Sequence, residues 1–175
     1  LWAKIGTDLF ACNGYDFLVT VDYYSNFWEV DRLEDTSSAT VIRKLKAHFA
    51  RYGVPETVVS DNGPQYSAIE FAKFAKEFDF EHVTSPGQAQ ANGKAESAVK
   101  SAKITLKKAK EAGRDPYLAL LDVRNTPIQG IGSSPVQLLM SRRTRSTLPM
   151  TKRLLQPRTG QTRAKGQPGK TGGVL

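Results

Sequence analysis

The order of strand-like and helix-like segments is the feature that most limits how this chain can fold. Two β-rich runs, 5–11 and 17–24, flank Asn13-Gly14, a strong signal for a type I′ hairpin. A third strand is predicted near 27–33, which makes an antiparallel meander. Strands at 56–60 and 80–84 then alternate with helical segments. This order predicts an α/β domain with a five-stranded mixed sheet, three antiparallel strands and then two parallel ones, with flanking helices.

The helical segments are read from apolar positions at a spacing near 3.6 residues. One helix is predicted from Ser37-Ser38 to Gly53, and a second from a capping box of Ser67 and Glu70. A long helix over 92–113 is expected to bury Ala95, Ala98, Val99, Ala102, Leu106 and Ala109. Shorter helices are predicted over 116–123 and 134–140.

Positive charge is concentrated at the C-terminal end. The 175 residues carry a net charge of +8, and positions 141–175 hold nine Lys or Arg and no acid. We divide the chain into a core over 1–150 and a basic tail over 151–175, which is expected to be disordered. Such a tail suits DNA or RNA, although a solvated linker explains its composition equally well.

Several classes of protein are disfavoured by what the sequence lacks. A single cysteine, Cys12, cannot form an internal disulfide and suits a reducing compartment. The sequence contains neither a signal peptide nor a long apolar run, so no segment of it argues for export or for insertion into a membrane. One Cys and two His cannot build a Cys/His zinc site. The chain starts at Leu1 without an initiator Met and reads as part of a longer protein.

Three carboxylates in different local contexts are the candidate catalytic residues. Asp8 lies in the first strand, Asp61 follows the fourth, and Glu96 lies where the long helix begins. Two strand-end acids and one helical acid can converge in such a fold. Carboxylates are ligands for Mg²⁺, and two ions held in this way support phosphoryl transfer. We therefore predict two Mg²⁺ (or Mn²⁺) ions bound by these residues.

Each acid alone has an ordinary explanation. Asp8 could be a solvent residue, Asp61 a turn former, and Glu96 a first-turn helix charge. Their combination in this order of elements favours catalysis. Asp22 is a weaker fourth candidate, and His48 and His82 are expected to be structural or exposed.

Lysines on the long helix are the candidate DNA-binding residues. Lys100, Lys103 and Lys107 follow Glu96 by four, seven and eleven positions, so they share its face. This basic face suits a phosphate backbone, although solvated basic faces are common on helices. Lys94, in the segment Asn-Gly-Lys-Ala-Glu that contains Glu96, is included in the predicted DNA-binding set.

Several segments together resemble the integrase catalytic core of retroviruses and, more closely, of gypsy-class LTR retrotransposons. The motifs are Gly-Thr-Asp at 6–8, Val-Asp-Tyr-Tyr-Ser at 21–25, Tyr-Gly-Val-Pro at 52–55 and Val-Ser-Asp-Asn-Gly-Pro-Gln-Tyr at 59–66. Further matches are Glu-His-Val-Thr-Ser-Pro at 81–86, Asn-Gly-Lys-Ala-Glu at 92–96, Ser-Ser-Pro at 133–135 and Met-Ser-Arg-Arg at 140–143. The resemblance covers roughly residues 1–150.

This resemblance implies a ribonuclease H-like fold with Asp8, Asp61 and Glu96 as the catalytic triad. It implies DNA integration, in which water trims the 3′ ends of element DNA and the new hydroxyls then attack target DNA. By the same likeness Asn92, Lys100 and Lys103 contact the DNA end. The implied partners are element and target DNA and at least a second copy of the chain, and the implied location is the nucleus, after import from the cytoplasm.

Two alternative functions stay open. The first is a decayed or host-adopted domain that binds nucleic acid or self-associates. It is suggested by the loop 85–91, which is one residue shorter than the family pattern and lacks its second proline. The second alternative is an ordinary ribonuclease H or a cut-and-paste transposase. The Ser-Asp-Asn-Gly-Pro-Gln segment argues against this second alternative.

Overall fold

A computed structural model describes residues 1–84 and 92–158 of the chain. In chain order its elements are β1 (Lys4–Cys12), β2 (Tyr15–Asp22), β3 (Trp28–Leu33), α1 (Ser38–Tyr52), β4 (Thr57–Ser60), α2 (Pro64–Ser67), α3 (Ile69–Phe78), β5 (Glu81–Thr84), α4 (Gly93–Glu111), α5 (Pro116–Asn125) and α6 (Pro135–Met140). A 3₁₀ helix follows at Lys152–Leu155.

The five strands form one mixed sheet in the order β3-β2-β1-β4-β5. β1 pairs antiparallel with β2, and β2 with β3, whereas β1–β4 and β4–β5 are parallel. The predicted fold class is therefore confirmed. The first turn is as expected, since Asn13 and Gly14 have φ values of 53° and 81°, as a type I′ hairpin requires.

The predicted capping box of Ser67 and Glu70 is wrong. Ser67 is already the last residue of α2, a short helix that begins at Pro64 and that the sequence pattern did not reveal. α3 starts after Ala68, without a side-chain cap. Proline at the first helical position favours this early turn, because its φ is fixed near the helical value. The loss of the cap therefore follows from the helical turn just before it.

Two apolar cores lie on opposite faces of the sheet. α1 and α3 cover one face, where Leu45, Phe49 and Phe71 are buried, and α4 covers the other, with Ala98 and Ala102. The predicted stripe of α4 is confirmed except that Val99 is only partly buried, while Thr105 is buried.

β1 contributes to both faces because side chains alternate along a strand. Ile5 belongs to the α1/α3 core, and Phe10 belongs to the α4 core. Gly6 is on the α4 side, where a Cβ would lie 3.4 Å from the Cβ of Ala95 and 3.3 Å from Tyr23. The missing side chain therefore lets the start of α4 approach β1 closely.

The described part of the predicted tail is held against the core. The Arg143 N–H donates to the carbonyl of Leu154 at 2.8 Å, and the Arg158 N–H donates to that of Ser141 at 2.9 Å. Residues 159–175, which make up most of the predicted basic tail, lie outside the described residues. Within 1–84 and 92–158, none of the helices combines the length and the apolarity needed to cross a bilayer.

Candidate active site

Asp8 lies near the middle of β1, on the face that α4 covers. It is two positions beyond Gly6, so its side chain projects toward the start of α4. Its Oδ1 accepts a hydrogen bond of 2.9 Å from the Leu9 N–H. Sheet and helix thus leave this carboxylate partly buried rather than in open water.

The pKa of Asp8 identifies its charged neighbours. Burial raises this pKa to about 6, the Leu9 N–H opposes the rise, and the charges of Asp61 and Glu96 add to it. Lys103 acts in the opposite direction and lowers the pKa. The structure therefore brings the three predicted acids and one predicted lysine into a single electrostatic environment.

Asp61 is placed beside Asp8 by parallel pairing of β1 with β4. Gly6 is opposite Val59 in the register, and continuing that register by two residues sets Asp8 level with Asp61. Asp61 is exposed, and its Oδ1 accepts a 2.9 Å hydrogen bond from the Gly63 N–H. The carboxylate is therefore oriented by the backbone of the turn that follows it.

Glu96 reaches the site from the first turn of α4. The preceding residue, Ala95, is fully buried against Gly6, whereas Glu96 is exposed. Because the helix is anchored at Ala95, the next side chain is held at the rim of the same site.

The donor chemistry fits a hard divalent cation, but the acids do not form a closed ligand set. Within residues 1–84 and 92–158, no three Asp, Glu, His or Cys side chains are close enough to hold a metal ion as they stand. Mutual repulsion among three carboxylates opposes closer approach and is relieved by cations. Carboxylate oxygens are nevertheless the ligands that Mg²⁺ prefers.

The predicted DNA-binding residues fall into different surroundings. Lys100 and Lys107 are exposed on α4, and Lys103 is partly buried beside the acids. Lys94 turns away toward the β2–β3 connection, where its Nζ donates to Oδ1 of Asn26 at 2.6 Å. Asn92 is buried, and its Oδ1 has no hydrogen-bond partner within the described parts of the chain. The short loop 85–91 lies outside the described residues.

The residues set aside in the sequence have structural roles. Asp22 is 1% exposed and accepts hydrogen bonds from the main-chain N–H of Trp2 and from the main-chain N–H and the hydroxyl of Ser25. His48 is fully buried between Thr20 and Asp31. These contacts favour Asp8 over Asp22 as the strand acid of the site.

A supporting pair beneath Asp61 was missed by sequence reasoning. The Ser60 hydroxyl donates to the carbonyl oxygen of Asp61 at 2.8 Å and lies 2.7 Å from Nε2 of His82. The hydroxyl proton is thus used, so Nε2 of His82 is the donor in the second bond. No local pattern signals this pair, because the two residues meet only through parallel pairing of β4 and β5.

Tyr66 is a second residue that was missed. It is 3% exposed, and its hydroxyl lies 3.3 Å from that of Thr7 on β1. Burial, with a smaller effect of the charges of Asp8 and Asp61, raises its pKa well above the usual range. Tyr66 therefore joins α2 to β1 immediately behind the acids as a neutral phenol.

Several solved structures from retroviruses share this fold. The catalytic core domain of BIV integrase matches with a TM-score of 0.70 and 20% identity over 81% of this chain and 95% of that one. A chain of the simian T-cell lymphotropic virus intasome, in complex with a PP2A regulatory subunit, matches with a TM-score of 0.71 and 21% identity over 85% and 57% of the two chains. The HTLV-2 integrase catalytic core domain in complex with magnesium matches with a TM-score of 0.65 and 19% identity, over 78% of this chain and 95% of that one.

Sequence relatives are much longer than this chain. A Caenorhabditis elegans protein, uncharacterized protein K02A2.6, is 33% identical over 154 residues, or 84% of this chain and 12% of that protein. The Gag-Pro-Pol polyprotein of sheep pulmonary adenomatosis virus is 33% identical over 100 residues, 57% of this chain and 6% of the polyprotein. The chain therefore spans only a small part of the relatives it matches.

The sheet order and the flanking helices define the class: this is a ribonuclease H-like α/β domain. Residues 4–88, just under half of the chain, match the integrase core domain. The resemblance to integrase cores is confirmed. The assignment to the gypsy class stays a prediction.

Proposed function

We propose that this chain is the catalytic core of a gypsy-class LTR retrotransposon integrase. In this role it is a Mg²⁺-dependent polynucleotidyl transferase and endonuclease that trims the 3′ ends of element DNA and joins them to target DNA. The observation that carries the proposal is the shared electrostatic environment of Asp8, Asp61 and Glu96. Three acids from two strands and a helix would serve no purpose in a simple binding module.

Asp8, Asp61 and Glu96 would hold two Mg²⁺ or Mn²⁺ ions. When bound, these ions neutralise charge on the reacting phosphate and on the entering and leaving oxygens. The printed description of the HTLV-2 core, which includes magnesium, agrees with this choice of metal. Asp8 keeps its proton up to about pH 6 in the absence of metal, so at neutral pH it is ionised and ready to act as a ligand.

Other residues of the chain would position the DNA. Lys103 is near enough to the acids to lower the pKa of Asp8, so its ammonium is suited to a phosphate next to the reacting one. Lys100 and Lys107 continue the same face of α4 outward. Asn92, buried at the start of α4, has an Oδ1 without a hydrogen-bond partner among the described residues and stays a proposed contact to the DNA end.

Partners and location follow from the same proposal. Element ends and target DNA are the substrates, and a homodimer or higher oligomer is the working unit, in line with the descriptions of an intasome and a trimeric form among the structural neighbours. The site of action is the nucleus, after passage from the cytoplasm. Positions 159–175 would add a basic contact to DNA.

The decisive test is disintegration of a labelled branched DNA with Mg²⁺ or Mn²⁺, because this reaction makes the fewest demands on other domains. Wild-type chain should release product, and Asp61→Asn should lose at least about a hundredfold, as expected when a transition-state contact to metal is removed.

The alternative is a decayed or host-adopted domain that binds nucleic acid without cutting it. The open spacing of the acids is the observation that favours it. Absence of product from the wild type, together with no rise in melting temperature on adding Mg²⁺ or Mn²⁺, would overturn the enzyme and support the binding domain.

A further inference from the structure

A polar cleft lies beyond α6, formed by residues from 132 to 158. Its volume is about 860 Å³. The polar residues that line it come from α6 and its flanking residues and from the segment around the 3₁₀ helix: Ser133, Gln137, Ser141, Arg142, Arg153, Gln156 and Arg158. None of the described residues that line it is an acid or an aromatic residue.

Main-chain hydrogen bonds fix the shape of this cleft. The Arg143 N–H bonds to the carbonyl of Leu154, and the Arg158 N–H bonds to that of Ser141, at 2.8 and 2.9 Å. These bonds hold the 3₁₀ helix against the end of α6. Arg153 is carried by that helix, and its charge is thereby set in the same cleft as that of Arg142.

The arginines before position 141 are paired. All five that precede position 141 have a partner: Arg43 pairs with Glu34, Arg51 and Arg124 with Glu29, and Arg114 with Asp122, while Arg32 lies over the ring of Tyr15. Carboxylates therefore compensate four of these five arginines, and the fifth, Arg32, lies against an aromatic ring.

The three cleft arginines break that pattern. Arg142, Arg153 and Arg158 have no ion pair within the described parts of the chain, and no Asp or Glu occurs anywhere in 141–175. Guanidinium groups gathered in one cleft repel each other unless an anion lies between them. Their planar, forked donors match the geometry of phosphate oxygens.

We propose that this cleft binds the phosphodiester backbone of nucleic acid. This inference extends the proposed function, because the cleft is a contact surface separate from the acids and from the lysines of α4. Binding of nucleic acid in the cleft does not depend on catalysis. With no aromatic side chain on which a base could stack, the cleft reads phosphates alone. Binding through it is therefore independent of sequence.

The test is fluorescence anisotropy of a labelled random duplex with the full chain in EDTA, across a series of salt concentrations. Replacing Arg142, Arg153 and Arg158 together by Ala should weaken binding at least about tenfold. The same variant should reduce the slope of log K against log salt by about 2 to 3, because each phosphate contact contributes about 0.9.

A matched control removes the same charge elsewhere. Lys46, Lys73 and Lys76 are exposed on α1 and α3, and their joint replacement by Ala should change affinity by less than about threefold. A triple Arg→Lys variant of the cleft keeps the charge but loses the forked donors, so it should bind more weakly than the wild type. If the triple Ala variant fails to fold, this Lys variant decides the question.

Three outcomes would overturn the proposal. The first is equal weakening by the cleft and control Ala variants, which means diffuse electrostatics. The second is unchanged duplex affinity in both cleft variants. The third is loss of inorganic phosphate binding in the cleft variants with duplex binding intact, which means a site for a free anion.

The result is distinct from a failure of the proposed function. A chain that binds the duplex through the cleft but yields no disintegration product keeps this inference and loses the enzyme.

Discussion

Oδ1 of Asp61 and the main-chain N–H of Gly63 are joined by a hydrogen bond of 2.9 Å, and a Cβ on Gly63 would lie 3.0 Å from that same oxygen. Gly63 has φ −63°, so any residue could adopt its backbone conformation. The constraint is therefore space: a Cβ would be crowded by the Asp61 carboxylate and equally by Oε1 of Gln65, also at 3.0 Å.

We expect Gly63→Ala to displace the carboxylate of Asp61 while the fold persists. Disintegration activity should fall about ten- to a hundredfold, since small displacements of reacting groups carry losses of that order. Melting temperature should stay close to that of the wild type. Ser67→Ala, an exposed change in the same segment, is the control, and equal activity in the two variants would contradict the steric argument.

Gly6 offers a second steric test, at the contact between β1 and α4. Gly6→Val should lower the free energy of unfolding by about 1–3 kcal/mol, because its Cβ alone would already lie 3.3 Å from Tyr23 and 3.4 Å from Ala95 and Val21, which leaves little room for two methyls. Ala11→Val, on the same strand but exposed, should have little effect. Urea denaturation of both variants, and of the Gly6→Val/Ala95→Gly double variant, measures the coupling, which should be absent if the contact is not real.

Burial of Asp8 predicts a stability that depends on pH. Since its pKa is raised from 3.8 to about 6, the unfolded chain loses this proton first, and folding stability falls as pH rises between those values. Without metal, Asp8→Asn should therefore be more stable than the wild type at pH 7, by on the order of 1 kcal/mol after allowance for solvent.

That gain should shrink as the pH falls from about 6 toward 3.8, because the folded carboxyl is then protonated and the unfolded one is increasingly so. Thermal melts in EDTA at several pH values measure it. Asp16→Asn on β2, which is exposed, is the control. An Asp8→Asn variant that is less stable than the wild type at pH 7 would contradict the assignment of the raised pKa.

His82 should act in the opposite direction. Burial lowers its pKa below 6.5, so the unfolded chain takes up this proton first as the pH falls, and stability declines below that value. His82→Gln removes the titrating group and can still donate to Ser60. Its loss of stability between pH 7.5 and 5.5 should be smaller than that of the wild type, as measured by urea midpoints, and a larger loss would refute this role.

Much of the fold could be predicted from local pattern. The Asn13-Gly14 turn, the alternating strands and the alanine stripe of α4 each depend on neighbours in sequence, and these predictions are confirmed. The mixed character of the sheet followed from the rule that strand–helix–strand units pair in parallel, whereas the order of its strands was not predicted. Asp8, Asp61 and Glu96 were predicted on the same basis, and the structure brings their charges together.

What could not be predicted depends on contacts between distant residues. Ser60 meets His82 only through the pairing of β4 with β5, and Lys94 bonds to Asn26, which lies 68 positions earlier in the chain. The helical turn at 64–67 is too short to show a period, which is why the capping box was misplaced.

Because side chains alternate along β1, a turn far from the acids determines which face of the sheet Asp8 occupies. A shift of β1 by one residue against its partners would carry Asp8 to the α1/α3 face and present Thr7 to α4. The hairpin at Asn13-Gly14 fixes that register. Its two residues are not among the acids of the proposed reaction. A turn that allowed β1 to slip by one residue would nevertheless remove Asp8 from the site, while the content of sheet and helix stayed the same.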